Sequence, residues 1–234
     1  RTKKITTNST GVVEFYSKNG IDPAWFHVIP NAVLPNHENV SKTALDRERV
    51  AAVLGISPEK KWIFSVGRLW PQKGYRDLIW AAETLRKMRQ DTCYVIIGDG
   101  PEKNRLELFR DNVRAASELY LVGERRDVSK ILPHADVVWN GSLYEGQSNV
   151  ILEAMSMGVP VIASDIPGNR DLVIPDQTGA LFPLGDVNKL VQLTDDLLSD
   201  SQKWRRWSNN AVRFVKEHHS LEQMVQGHKM LYEQ

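Results

Sequence analysis

Two positively charged side chains flank one predicted turn of this chain. Arg68 follows a short apolar run at residues 62–66, and Lys73 comes just before a helical pattern that begins at residue 75. A guanidinium fork and an ammonium group together suit a diphosphate, which is multiply negative. Taken alone, such a pair is more often two solvated loop cations, so the pattern needs support from other segments.

Two carboxylates are spaced across a second predicted loop and the helix after it. Glu145 lies in the loop, Asn149 is a good N-cap, and Glu153 follows about one turn into the helix. The free N–H groups and partial positive charge of a helix N-terminus suit a phosphate, and carboxylates beside it would accept hydrogen bonds from sugar hydroxyls. Individually, a solvated loop Glu and a first-turn Glu favoured by the helix dipole remain the better explanations.

Glycine turns lie in two further loops at predicted strand ends. Gly98 and Gly100 begin like a dinucleotide-binding fingerprint, but the third glycine is missing, and a turn with a helix started by Pro101 explains them equally well. Gly123 would let the backbone come close to a flat ligand. A turn followed by Asp127 as a helix N-cap is at least as good an explanation.

Short apolar runs alternate with longer helical patterns through the middle of the chain. The runs have the length and the β-branched and aromatic content of strands buried on both faces: 62–66, 93–97, 119–122, 136–139 and 160–163. Helices are predicted at 75–89, 101–115 and 148–157, and in a tail at 186–199, 201–218 and 220–233. This alternation predicts an α/β fold, a parallel sheet with helices on both faces. Ligands of such sheets bind beyond the carboxyl ends of the strands, where the loops described above lie.

The start of the chain is a different piece. Residues 1–34 carry predicted strands at 4–7 and 26–29 around a predicted helix at 9–18, and polar residues 35–45 are predicted to be a linker. The expected domains are therefore 1–34 and 35–234. The start lacks the apolar stretch of a signal peptide. The first residue is not Met, so the chain is expected to be an excised or processed piece.

Composition narrows the class of protein. Hydrophobic residues make up 41% of the 234 residues and charged residues 25%, which is typical of a soluble globular protein. The net charge of +1 argues against a nucleic-acid or other general polyanion binder, although it leaves room for a local basic site. The single cysteine excludes an intramolecular disulfide and a cysteine zinc site. No apolar run approaches the length of a membrane span.

The segments, in this order, resemble the retaining glycosyltransferases of family 4, which have the GT-B fold. The resemblance extends from about residue 5 to about residue 200 and is carried by residues 27–33, 64–69, 72–74, 97–101, the pair Glu145 and Glu153 in the family's E-x7-E spacing, and 153–161. Two departures stand out. Gln147-Ser148 replaces the aromatic or aliphatic residue and Gly or Pro that are frequent in the family, and Asn140-Gly141-Ser142 replaces its usual Pro-Ser.

The resemblance implies a Rossmann-like, C-terminal donor-binding domain preceded by a remnant of the N-terminal domain, which mostly binds the acceptor. It implies a role for each loop. Arg68 and Lys73 would hold the donor diphosphate together with the N–H groups of Asn149 and Val150. The remaining donor contacts would come from Gly67 and Gly98 at the strand ends, from Glu145, Gly146, Gln147 and Ser148 around the transferred sugar, from Glu153 at the ribose, and from the backbone of Gly123 to Arg125 at the base.

The activity implied is transfer of a sugar from a UDP- or GDP-linked donor to a sugar, lipid-linked or other hydroxyl acceptor with retained configuration. Glu145, Arg68 and Lys73 would be the catalytic residues. No Asp-x-Asp motif occurs in the 234 residues, so neither metal nor any further cofactor is expected. The resemblance implies a cytoplasmic location, compatible with peripheral contact with the inner face of the membrane through the N-terminal domain. Without that domain, the chain is expected to be inactive in transfer.

Two other functions are compatible with the same loops. One is another GT-B nucleotide-sugar enzyme, such as an epimerase, which would not be expected to carry this combination of Arg, Lys and E-x7-E. The other is a non-catalytic Rossmann-like module that binds a nucleotide.

Overall fold

The computed structural model describes residues 4–33, 46–113 and 117–233. The predicted linker at 35–45, and with it the predicted domain boundary, lies outside the described residues. The strands are β1 (Ile5–Thr7), β2 (Phe26–Val28), β3 (Lys61–Val66), β4 (Thr92–Ile97), β5 (Leu119–Leu121), β6 (Val137–Asn140), β7 (Val161–Ser164) and β8 (Gly179–Phe182). The helices are α1 (Thr10–Lys18), α2 (Arg47–Leu54), α3 (Tyr75–Met88), α4 (Lys103–Asn112), α5 (Val128–Ile131), α6 (Asn149–Ser156), α7 (Pro167–Arg170), α8 (Val187–Ser199), α9 (Ser201–His218) and α10 (Leu221–Tyr232).

The main sheet has six parallel strands in the order β5-β4-β3-β6-β7-β8. The chain winds outward from β3 to β5, returns to the middle, and then winds outward in the other direction from β6 to β8. The loops that leave β3 and β6 therefore diverge and leave a crevice at the carboxyl ends of these strands. This topology confirms the predicted parallel sheet and puts the candidate loops at its functional edge.

Both faces of the sheet are buried, because neighbouring residues of a strand point to opposite sides. Trp62 and Phe64 pack into one apolar core with helix α6, whereas Ile63 and Tyr94 pack into a second core with α3 and α8. Helices thus cover both faces, as predicted from the unbroken apolar runs.

The first piece has the predicted strand, helix and strand. Strands β1 and β2 pair in parallel, with Ile5 opposite Phe26, and α1 connects them. Helix α1 packs against α7 of the main body, where Gly11 lies directly against Pro167. The predicted helical tail is also confirmed as α8, α9 and α10. None of the described helices is long and apolar enough to cross a bilayer.

Several elements differ from the sequence prediction. Strand β8 and helix α2 were not predicted, since β8 contains no β-branched residue and α2 follows directly on the polar stretch. Helix α4 begins at Lys103, because Pro101 and Glu102 form a turn instead of the first helical residues.

The ends of β3 and β4 approach so closely that a side chain does not fit between them. Gly98 has a φ of 150°, and a methyl group placed on it would lie 1.9 Å from the carbonyl oxygen of Gly67. Gly67 in turn donates its N–H to the carbonyl of Ile97 at 3.0 Å. The two loops therefore form one continuous floor at the crevice.

Gly98→Ala should destabilise the fold more than a glycine-to-alanine substitution at a position that has positive φ but open space around it. Gly55→Ala is the matched control, because Gly55 has a φ of 69° and open space around it. We expect Gly55→Ala to cost about 1 kcal/mol in the free energy of unfolding. Gly98→Ala should cost about 2 kcal/mol more, since backbone must also move. Urea unfolding followed by circular dichroism measures both; equal losses would show that the close approach is unimportant.

Candidate functional site

A cavity of about 340 Å³ opens at the carboxyl ends of β3 and β4. Its walls come from three consecutive βα loops: Val66, Gly67, Arg68, Ile97, Gly98, Asp99, Glu124, Arg125 and Val128. Gly123 joins the same floor, because its carbonyl accepts the N–H of Gly98 at 2.8 Å. The structure thus brings together Gly67, Arg68, Gly98, Gly123 and Arg125, as the sequence predicted.

The side chain of Arg125 is already engaged. Its Nε and Nη2 atoms donate to the two carboxylate oxygens of Asp127 at 2.9 and 2.8 Å, and this pairing lowers the pKa of Asp127. Asp127 does precede helix α5 as predicted, but its side chain makes no capping hydrogen bond. The guanidinium of Arg125 is thus held by a carboxylate of its own loop.

Lys73 and Glu145 form an ion pair across the crevice. Lys73 Nζ lies 2.7 Å from Glu145 Oε1, and the side chains are only 22% and 10% exposed. The hydroxyl of Ser142 donates to the same carboxylate oxygen. The backbone N–H of Leu143 donates to the carbonyl of Gln72 at 2.7 Å, so the two loops are also joined through their main chains.

Tyr75 connects this ion pair to the cavity. Its hydroxyl donates to the carbonyl oxygen of Gly67 at 3.2 Å. Burial, and secondarily the charge of Glu145, raise the pKa of Tyr75, so the phenol stays neutral and keeps its donor proton. Lys73 lies against the same glycine, with its Cε atom 3.8 Å from where a Gly67 Cβ would be. The lysine therefore lies at the edge of the cavity.

Arg68 is exposed at the other side of that edge. Its guanidinium carbon lies 5.8 Å from the ring centroid of Trp70, and among the described residues no carboxylate lies within ion-pair distance of it. Its charge is therefore available to an anion in the crevice.

The N-terminus of helix α6 points into the same crevice. The N-cap is Ser148 and not Asn149, which is the first helical residue; this corrects the sequence prediction. The Ser148 hydroxyl makes no capping bond; it accepts a hydrogen bond from Asn140 Nδ2 at 3.1 Å. The first N–H groups of the helix have no intrahelical partners, so Asn149 and Val150 offer donors to an anion.

A buried polar network supports the loop between β6 and α6. The side-chain oxygen of Asn140 accepts from the N–H of Ser142 at 3.1 Å, and Ser164 donates its hydroxyl to the carbonyl of Ser142 at 2.5 Å. Asn169 donates to the carbonyl of Ser164 at 3.0 Å. On the outer side, Gly168 touches the backbone of Gly146 so closely that a Cβ would lie 1.8 Å from its carbonyl oxygen. The loop that carries Glu145 is thus held from both sides.

Gln147 is turned toward the first piece of the chain. Its side chain is 9% exposed, and its Oε1 accepts the backbone N–H of Asn31 at 2.8 Å. Gly146 lies directly against the side chain of Asn8. Sequence reasoning missed Asn8 and Asn31 as site residues. The motif resemblance at 27–33 was the available signal, but it assigned no contact to them.

Glu153 is the fifth residue of α6 and is partly buried. It lies one turn after the helix start, on the same element as the N–H groups of Asn149 and Val150. Glu145, in the loop before α6, and Glu153, within α6, thus lie on either side of the helix start.

Comparison with known proteins shows that the chain is similar to glycosyltransferases. The family model described as "Glycosyl transferases group 1" matches residues 46–214. An Escherichia coli UDP-Gal:alpha-D-GlcNAc-diphosphoundecaprenol alpha-1,3-galactosyltransferase is 36% identical over 205 residues, which is 84% of this chain and 52% of that protein. A Campylobacter jejuni enzyme, N-acetylgalactosamine-N,N'-diacetylbacillosaminyl-diphospho-undecaprenol 4-alpha-N-acetylgalactosaminyltransferase, is 27% identical over 214 residues, which is 91% of this chain and 55% of that one.

A solved structure agrees over almost the whole chain. The crystal structure of Anabaena HepE in complex with UDP-glucose matches with a TM-score of 0.86 and 22% identity, covering 99% of this chain and 64% of that one. The likeness confirms the predicted fold, the Rossmann-like C-terminal half of a GT-B structure with a helical tail. The chain spans about half the length of the curated relatives it matches.

The Lys73–Glu145 pair should be coupled energetically in the free protein. Lys73→Met leaves a mostly buried carboxylate with the Ser142 hydroxyl and no cation, so we expect a loss of about 2 kcal/mol in unfolding free energy. Glu145→Gln in the same background should recover part of that loss, giving a coupling energy of about 1 kcal/mol or more in a double-mutant cycle.

The exposed pair of Arg49 and Asp46, with side chains 73% and 58% exposed, serves as control for this cycle. Its coupling should be about 0.5 kcal/mol or less, because solvent screens it. Urea unfolding at pH 7 gives both values. Additive losses at Lys73 and Glu145 would contradict the ion pair.

Proposed function

The chain belongs to the glycosyl transferases group 1 family, and on that premise we propose that it is the donor-binding part of a retaining, metal-independent glycosyltransferase of family 4. It would bind a nucleotide-diphosphate sugar and, within the whole protein, transfer a hexose to an acceptor hydroxyl with retained configuration. One observation carries the proposal. An uncapped helix N-terminus, the exposed Arg68 and the partly buried Lys73 all lie in the loops at the carboxyl ends of the neighbouring strands β3 and β6.

The donor diphosphate would lie between these groups. A nucleoside diphosphate leaves with negative charge on its phosphate oxygens, and donors fixed in advance at that position stabilise the transition state without reorganising. The N–H groups at the start of α6 and the guanidinium of Arg68 are such donors. Lys73 now pairs with Glu145, so on donor binding it would share its charge between the carboxylate and the phosphate.

Glu145 would contact the transferred sugar. It lies beside Lys73 and Ser142 in the loop that leads into α6, so its second carboxylate oxygen can accept from sugar hydroxyls. Glu153, one turn into α6, would accept hydrogen bonds from the ribose. The base would occupy the cavity between Gly98 and the backbone of Gly123 to Arg125.

For the donor nucleotide we favour UDP over GDP. The E. coli relative is named for UDP-Gal, and the HepE structure holds UDP-glucose. The E. coli and C. jejuni relatives are both named for acceptors on diphosphoundecaprenol. A lipid-linked sugar is therefore the acceptor class that we propose, with the enzyme in the cytoplasm and in peripheral contact with the membrane.

Two exposed apolar surfaces support the proposal that an acceptor domain packs against this part of the protein. One consists of Phe15, Tyr16 and Trp25 on the first piece; the other is helix α10, which buries none of its residues and exposes Val225, Met230 and Tyr232. Exposed apolar surface of this kind marks an interaction site. We propose that residues 1–34 belong to an acceptor domain that covers both surfaces. The chain alone would then bind donor and transfer poorly, which a transfer assay on the chain and the full-length protein tests.

Removing the Arg68 side chain should weaken the binding of nucleoside diphosphates far more than the binding of nucleosides. A charged contact to phosphate is worth about 1.5–3 kcal/mol, so Arg68→Ala should weaken UDP by about tenfold or more and leave uridine unchanged. Calorimetry with UDP, GDP, ADP and the matching nucleosides measures this. Arg206→Ala, an exposed arginine on α9, should have no effect. Equal losses for UDP and uridine in Arg68→Ala would refute the diphosphate contact.

Glu145 and Glu153 should differ in what they bind. Glu153→Ala should weaken the binding of every nucleotide that carries ribose, whether or not a sugar is attached to its diphosphate. Glu145→Gln should leave UDP binding intact, because it frees Lys73, and should lower transfer in the full-length protein. Calorimetry with UDP and UDP-sugars, beside a transfer assay, separates the two roles. The same profile for both variants would mean that the assignment is wrong.

Chelation should leave donor binding and transfer unchanged. Arg68, Lys73 and the α6 N-terminus supply the positive charge that a metal ion supplies in transferases with an Asp-x-Asp motif. Transfer by the full-length protein should therefore be the same with and without EDTA. A large loss that manganese or magnesium restores would reject metal independence. An altered nucleotide sugar released without any acceptor would instead favour the epimerase alternative.

A further inference from the structure

Asn31 lies at a junction of three segments that are far apart in the chain. Its backbone N–H donates to Gln147 Oε1 at 2.8 Å, which ties it to the loop before α6. Its side-chain oxygen accepts from Asn8 Nδ2 at 3.1 Å, which ties it to the segment before α1. Its backbone carbonyl accepts from His219 Nδ1 at 2.9 Å, which ties it to the residue between α9 and α10.

The side-chain amide nitrogen of Asn31 is directed at the start of helix α6. It donates to the side-chain oxygen of Asn149 at 2.8 Å and to the carbonyl oxygen of Gln147 at 3.3 Å. An amide nitrogen has two protons, and both are used. Because the side-chain oxygen is held by Asn8, the amide is fixed in one orientation.

These contacts hold the start of α6, where no N-cap side chain bonds to the helix. The Ser148 hydroxyl is taken by Asn140 and does not cap α6. Asn31 binds Gln147 and Asn149, the residues on either side of that N-cap, through their oxygen atoms and not through the N–H groups of the helix. The helix start is thereby fixed in position and still open to an anion.

The tail side of the junction is buried. His219 is 4% exposed, and burial lowers its pKa, which favours the neutral ring. Because the carbonyl oxygen of Asn31 can only accept, Nδ1 of His219 is the donor in this hydrogen bond. The N–H of Val33 donates back to the carbonyl of His219 at 3.0 Å. Asn31 is therefore held on this side by a buried partner.

We propose that Asn31 is a positioning residue for the donor diphosphate: it holds the first turn of α6 in the orientation that presents the N–H groups of Asn149 and Val150. The inference rests on the proposed function, because it specifies how the diphosphate seat is kept in place. It assigns to the first piece of the chain a role in donor binding, although that piece lies outside the donor-binding domain.

The test is calorimetry on the whole chain with UDP and with uridine. Asn31→Ala should weaken the binding of UDP about tenfold, which corresponds to the loss of one hydrogen bond. It should change the affinity for uridine by less than about twofold. Asn19→Ala is the matched control. Its amide nitrogen donates to the carbonyl of Phe15 at 2.7 Å within the same piece, away from the loop, so it should leave both ligands unchanged. A loss of general stability in Asn31→Ala would weaken both ligands equally, and that result would overturn the proposal.

A second variant separates positioning from folding. Asn149→Ala removes only the acceptor on the helix and keeps its backbone N–H, and Asn149 is exposed, so the variant should fold. In the Asn149→Ala background, Asn31→Ala should lower the affinity for UDP about threefold instead of tenfold. The reason is that the hydrogen bond between Asn31 and the Asn149 side chain is already absent. Full additivity would contradict the proposed contact. If the unaltered chain bound neither UDP nor GDP, the proposed function itself would fail; normal UDP binding by Asn31→Ala would reject only the role of Asn31.

Discussion

The reversal of winding between β3 and β6 is the constraint on which the rest of the site depends. Adjacent parallel strands whose helices lie on opposite faces send their loops in opposite directions, which leaves a crevice at the ends of β3 and β6. The Lys73–Glu145 ion pair and the hydrogen bond from Leu143 to Gln72 bridge this crevice. The sequence at the crevice is adapted to it. Glycine at position 98 lets the floor of the crevice be pure backbone, and a helix N-terminus without a side-chain cap is left at its rim.

The charges at this crevice are arranged before any ligand binds. Lys73 is paired with Glu145, Arg125 with Asp127, and Arg68 is exposed toward solvent. Pairing keeps a partly buried lysine from paying an uncompensated desolvation cost. It also fixes the carboxylate that would meet the sugar. The polar network of Asn140, Ser142, Ser164 and Asn169 below the loop holds these residues in place by hydrogen bonds. The proposed transfer would depend on charges that are fixed in advance in this way.

The sequence predicted most of the fold because burial on both faces leaves unbroken apolar runs. It did not predict β8, a four-residue strand at the sheet edge, or the capping of α6, where Asn149 looked like the better cap. The Ser148 hydroxyl and the Asn140 amide meet only once the loop is folded. The contacts of Asn31 with Gln147 and Asn149 span more than a hundred residues, so no local pattern reveals them. Motif spacing found the residues that carry charge, and the structure added those that hold them.

The most direct test of the account is an amide NMR titration of this chain with UDP and with uridine. If the diphosphate lies at the α6 N-terminus, UDP should shift the backbone amides of Asn149 and Val150 and of the Gly67–Arg68 turn. Uridine, which carries the base and the ribose, should shift the amides around Gly98, Gly123 to Arg125 and Glu153, and should leave those of Asn149, Val150 and the Gly67–Arg68 turn unmoved. UDP binding that leaves the amides of Asn149 and Val150 unmoved would contradict the central claim that this helix start is the diphosphate seat.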